Sequence, residues 1–126
     1  FFDENFFLYL EEIDLCKSIR AKNGRIILVN TKIKHDGGNS HGNRNDFEME
    51  KSRNWHWMWS KFYFNKKHHG YMFALFKTFN NLFSAILKYL FYSLIFDRHN
   101  KNIYKMRFLG LINSMVGNKS YLRPDN

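Results

Sequence analysis

Apolar residues recur along residues 8–22, Leu-Tyr-Leu-Glu-Glu-Ile-Asp-Leu-Cys-Lys-Ser-Ile-Arg-Ala-Lys, in the three- and four-residue rhythm of a helix. Acids come early, bases come late and Gly24 stands just past the end, as the helix dipole and C-cap preferences favour. At ~100° per residue Glu12 shares the face of Leu8, Leu15 and Ile19, which predicts an inward-turned carboxylate. Arg25-Ile-Ile-Leu-Val-Asn30 then reads as a short buried strand and Thr31-Lys-Ile-Lys-His35 as a second, half-exposed one. Residues 36–43 are dense in Gly and Asn and predict a loop, and residues 44–54 a polar loop or the lead into a helix.

Beyond that point the rhythm is helical. From Trp55 to Tyr71 aromatic and basic residues interleave, with Trp55, Trp59 and Phe62 on one stripe and Trp57 and Phe64 nearly opposite, so both faces need cover. Residues 72–96 form the most apolar stretch, but Lys77, Asn81, Ser84 and Lys88 fall on one narrow polar stripe. Such a helix suits a membrane interface better than a span, with lysines reaching outward; the other reading is a core helix whose polar stripe faces water. The tail from Asp97 is basic, with a helix expected from Ile103 to Met115.

Composition sharpens this picture. With 126 residues the chain fits one compact unit, and 19% aromatic content supplies a core and argues against disorder. A lone cysteine rules out an internal disulfide framework and fits a reducing compartment, and Cys16 reads as a small buried apolar residue. The opening Phe1-Phe2-Asp3 has no Met and no basic lead, so the sequence reads as the C-terminal part of something longer. Net charge is +9 and unevenly placed: residues 1–50 carry 7 Lys and Arg against 9 Asp and Glu, residues 51–126 carry 13 against 2. The basic aromatic half calls for a polyanionic partner, and the acidic half is where chemistry is sought.

Two groups there can carry chemistry. Glu11-Glu12-x-Asp14 sets adjacent carboxylates at a helix start, an arrangement that can raise a carboxyl pKa and make a general base, although acids in a first turn also simply serve the dipole. His35 before Asp36-Gly37-Gly38-Asn39-Ser40 can hold a metal or let loop amides approach phosphate oxygens, although a lone His is more often structural. There is no Walker loop, no GxSxG and no complete dinucleotide fingerprint.

Together these groups closely resemble a known pattern. The run from Phe2 to Cys16, with Arg20, Gly24-Arg25-Ile26 and His35-Asp36-Gly37-Gly38-Asn39-Ser40, is similar in order and spacing to the C-terminal part of family 2 bacterial glycosyltransferases of the rhamnosyltransferase-like kind. The resemblance is closest over residues 1–40. It implies an α/β fold: a C-terminal fragment of a GT-A domain, one helix and two edge strands over residues 1–45, followed by a mostly helical, basic and aromatic membrane-associating extension over residues 46–126.

What the resemblance further implies is inverting transfer of a sugar from a nucleotide-diphosphate donor to an acceptor hydroxyl, on a glycan or lipid-linked glycan of cell-surface polysaccharide synthesis. Glu12, where the family usually has Asp, and Glu11 would supply the base. His35 would help hold Mg²⁺ or Mn²⁺ or the diphosphate, with Gly37, Gly38 and Ser40 lining that pocket, and Asp14 would be structural, pairing with Lys17 or Arg20. The donor-binding part of such an enzyme is not among these residues, so this segment alone is expected to be inactive. An anionic membrane surface is the expected partner and the cytoplasmic face of the membrane the expected place. The rival reading, a basic nucleic-acid-binding or membrane-anchoring module without catalysis, leaves the acidic block and the His35 loop unexplained, so no nucleic-acid partner is expected.

Overall fold

A computed structural model describes residues 1–32, residue 34 and residues 46–122. It contains four helices: α1 (Glu11–Ala21), α2 (Asp46–His69), α3 (Tyr71–Leu94) and α4 (Arg98–Met115). Helices α2, α3 and α4 pack against one another, and α1 is fastened to the side of α2 by polar bonds and by the segment that precedes it.

The expected α/β fold is therefore corrected to an all-α one: no β-strand occurs among the described residues. Residues 25–30 carry the β-branched run, yet among the described residues no segment hydrogen-bonds with them in a ladder. Ile26, Ile27, Leu28 and Val29 stand exposed, Leu28 by 97%. A short apolar run specifies a strand only when another strand pairs with it, which periodicity alone cannot reveal. The second expected strand also fails over Thr31, Lys32 and Lys34, which carry no strand assignment, while Ile33 and His35 lie outside the described residues.

The helical expectations stand with altered limits. Helix α2 starts at Asp46, taking in residues read as a polar loop or the lead into a helix, and α4 starts at Arg98, five residues before Ile103. Asp97 explains the second boundary: its Oδ1 accepts from the Asn100 backbone N–H at 3.0 Å and its Oδ2 from Asn100 Nδ2 at 2.7 Å, an N-cap that also holds the carboxyl below its ordinary pKa.

The core forms where Met58 and Phe62 of α2, Ala74 of α3 and Leu111 of α4 meet, flanked by Leu75, Leu82 and Met115. Trp55, Trp59 and Phe62 are all buried, as one stripe should be. The remaining buried sides of α2 are covered by chain ends. Ser60 donates to the Leu8 carbonyl at 2.7 Å and Trp59 Nε1 to the Asn118 carbonyl at 3.0 Å. His56 donates from Nε2 to the Leu122 carbonyl at 2.7 Å and accepts from Ser120 Oγ at Nδ1.

Helix α3 docks through small residues and leaves its large apolar side exposed, which corrects the reading of a core helix. It buries Ala74, Thr78 and Ala85, half-buries Asn81 and Ser84, and exposes Phe76, Phe79, Phe83, Leu87, Leu90 and Leu94. The small residues let α3 approach its neighbours closely, and Lys61 Nζ donates across to Asn81 Oδ1 at 3.0 Å. Only Lys77 and Lys88 of the polar stripe stay outside.

Gly110 sets the distance between α2 and α4, because a Cβ there would lie 2.2 Å from the Trp55 carbonyl oxygen. Backbone meets backbone at that point, so no side chain can yield. Gly110→Ala is expected to cost about 2–3 kcal/mol in urea unfolding, the range of overpacked cores. Phe76→Ala, on the open face of α3, is expected to stay within about 0.5 kcal/mol of the parent.

Candidate functional site

The acid-rich start of α1 is held by a compact set of charges. Lys67 Nζ donates to Asp3 Oδ2 and to Asp14 Oδ2, each at 2.7 Å, and His68 donates from Nε2 to Asp14 Oδ1 at 2.7 Å. Asp14 is only 2% exposed, so both carboxylate oxygens are satisfied where water is scarce. Tyr63 adds a hydroxyl to Asp3 Oδ2 at 3.1 Å, and Asn5 donates to Asp3 Oδ1 from its backbone and its side chain.

These bonds shift the titrations. Burial opposes ionisation of Asp3, but the hydrogen bonds from Lys67, Asn5 and Tyr63 outweigh it and bring the carboxyl down to about 2. Burial likewise opposes the charge on Lys67, yet its bonds to Asp14 and Asp3 raise its pKa. Burial and the neighbouring Asp3 raise Tyr63, keeping its hydroxyl protonated. Beside this group Lys17 Nζ donates to His69 Nε2 at 2.6 Å, and desolvation together with the charge of Lys17 lowers the pKa of that ring.

Between the clamp and the acids the backbone turns twice the unusual way. Tyr9 and Leu10 have φ of 69° and 70°, a left-handed conformation costing roughly 1–2 kcal/mol at each non-glycine residue. Their surroundings hold them there. Phe6 is buried edge-on against Tyr63 at 5.0 Å, the Leu8 carbonyl is taken by Ser60, and Tyr9 stands edge-on to Trp57 at 5.4 Å. The Asp14 N–H closes the first helical bond on the Leu10 carbonyl at 2.8 Å.

The expected site residues fall into two sets. Glu11 is half-buried with Oε2 out of solvent and unpartnered, whereas Glu12 is exposed, so the inward turn expected of Glu12 belongs to Asp14 instead. The helix begins at Glu11 after a left-handed turn, which removes Leu8 from the phase that placed Glu12 inside. Asp14 pairs with Lys67 and His68 of α2 and not with Lys17 or Arg20. Cys16 is exposed, not buried. His35, Gly37, Gly38 and Ser40 lie outside the described residues, and among the described residues no group of three or more His, Cys, Asp or Glu could hold a metal ion.

Sequence reasoning missed the clamp because Asp14 and His68 are 54 positions apart and no local pattern joins them. The available signal was His68-His69 following Lys66-Lys67 at the end of an aromatic helix, a cationic end with a chain rich in acids to receive. Compared with protein-family models, with curated proteins and with solved structures, the chain matches none.

The lowered pKa of Asp3 carries a pH dependence. Its unfolded value is near 3.8 and its folded value about 2, so the stability it contributes is complete above pH 4 and is lost as pH falls through 2. Asp3→Asn should flatten the fall in melting temperature between about pH 4 and pH 2, which a calorimetric pH series checks.

Proposed function

We propose that this chain is the acceptor-side part of an inverting sugar transferase working against a membrane surface. The observation that carries the membrane half is the outward face of α3, with Phe76 84%, Phe79 62% and Leu94 77% exposed. An aromatic and aliphatic face of this length is costly to leave in water and fits the interfacial zone of a lipid bilayer. Lys77 and Lys88 sit exposed at its margin, within a half-chain carrying 13 basic against 2 acidic residues, which favours anionic headgroups. Among the described residues no helix is long and apolar enough to cross a membrane. Association along the cytoplasmic face accords with that.

The transfer half rests on the resemblance of residues 2–40 to family 2 glycosyltransferases, and the division of labour among the acids supports it. Asp14 is consumed by Lys67 and His68 and serves position. Glu12 is open to a substrate, and Glu11 keeps one oxygen dry and unbonded beside it. In this reading Glu12 takes the proton from the acceptor hydroxyl as that oxygen attacks the anomeric carbon and the nucleotide diphosphate departs from the opposite side. Strict placement matters here, and the clamp at Asp14 together with the fixed turn at Tyr9 and Leu10 provides it. A Mg²⁺ or Mn²⁺ ion would neutralise charge on the leaving diphosphate; the described residues supply no cluster for it, and His35 and the glycine loop proposed to face it are not among them.

Two measurements test the two halves. Flotation with vesicles containing phosphatidylglycerol should recover the chain at low salt, and Phe79→Asp with Phe83→Asp should abolish recovery while circular dichroism stays unchanged; equal recovery of parent and variant contradicts the membrane role. In the complete protein, Glu12→Gln should retain donor binding and reduce transfer by at least ~10²-fold. Near-normal turnover would move the base to Glu11.

A further inference from the structure

A second site lies where the N-terminal segment crosses α2 and α4. Tyr9, Arg53, Asn54, Trp57 and Arg107 line a depression of about 210 Å³. That is smaller than the ~300–1,000 Å³ of pockets that enclose whole cofactors, and it suits one ring with its substituent.

Its two cations differ in a way that suggests use. Arg107 is pre-set: its Nε donates to Asn54 Oδ1 at 2.7 Å, and its guanidinium lies over the Tyr104 ring at 5.2 Å. Asn54 is itself fixed, donating from Nδ2 to the Glu50 carbonyl at 2.8 Å. The terminal nitrogens of Arg107 have no partner among the described residues, nor does exposed Arg53. Two guanidinium groups converging on one hollow repel each other until an anion joins them, and their planar forks match phosphate oxygens. The lining is also aromatic: Trp57 is 42% exposed and is held by its edge-on contact with Tyr9. An indole face beside a phosphate cradle suits the apolar C–H face of a pyranose better than a bare ion.

We propose that this depression binds a sugar phosphate, with Arg53 and Arg107 on the phosphate ester and Trp57 against the sugar ring. This deepens the sugar-transfer reading and rests on it, for the chain leads from Tyr9 through Leu10 directly into Glu11 and Glu12. The site then recognises a phosphorylated glycan acceptor and presents it to the acids.

The test titrates the 126-residue chain with α-glucose 1-phosphate, inorganic phosphate and unphosphorylated glucose, following the Trp57 indole N–H by NMR and assigning it with Trp57→Phe. Glucose 1-phosphate should shift that signal saturably, and both other probes should bind more weakly. Arg53→Gln should weaken glucose 1-phosphate roughly tenfold or more, as loss of a charge-assisted bond does. Arg107→Lys, which keeps the charge but loses the fork, should weaken it too, with circular dichroism confirming that both variants fold. A separate arm adds glycerol 3-phosphate, the soluble counterpart of a lipid headgroup. Absence of a saturable shift, an equal response in Arg53→Gln, or equal or tighter binding of plain glucose, inorganic phosphate or glycerol 3-phosphate would overturn the proposal. Binding needs no turnover, so this outcome is independent of the Glu12→Gln assay that judges the transfer reading itself.

Discussion

One ammonium group joins the parts of this molecule that would otherwise be separate. Lys67, near the end of α2, bonds Asp3 of the leading segment and Asp14 of α1 at 2.7 Å each, and His68 completes the second carboxylate. Removal of Lys67 would leave the buried Asp14 carboxylate with the His68 ring as its one remaining side-chain partner among the described residues and would take the ammonium from Asp3, and under-compensated buried charge is costly. The arrangement therefore specifies where α1 sits more than it adds net stability, since desolvating three charged groups offsets much of their attraction. Its consequence is local: the left-handed turn at Tyr9 and Leu10 is tolerated because both sides of it are anchored, and Glu11 and Glu12 follow from that turn.

The rest of the structure extends the same logic. Helix α2 carries Trp55, Met58, Trp59 and Phe62 into the interior but also Ser52, His56 and Ser60, and the last two are satisfied by backbone carbonyls from opposite ends of the chain. The leading segment and the tail are thereby drawn onto α2. Helix α3 is attached through its small residues, which leaves its large ones outside. The proposed functions follow from this division: an aromatic face for lipid, fixed acids for proton transfer, and a basic aromatic hollow beside them.

How much of this the sequence disclosed depends on whether the deciding partner was local. The acids-first, bases-last grading of residues 11–21 identified α1, and the stripe of Trp55, Trp59 and Phe62 identified the buried side of α2. Ile26-Ile27-Leu28-Val29 misled, because a strand is defined by its neighbour and none hydrogen-bonds it among the described residues. The inward acid was assigned to position 12 instead of 14 for a related reason: helical phase depends on where the helix starts, and the left-handed Leu10 moved that start. On α3, the polar stripe was visible, but the competing stripe of Ala74, Thr78 and Ala85 determined which side docks, since close approach between helices rewards small residues. The charge clamp joins residues more than fifty positions apart and leaves no trace in periodicity.

The claim that α2 positions the acid-bearing helix is tested most directly by amide hydrogen exchange on Lys67→Met. The account predicts that the amides of Glu11–Ala21 lose most of their protection while those of the α2, α3 and α4 core keep theirs. Unchanged protection across α1 in that variant would contradict it.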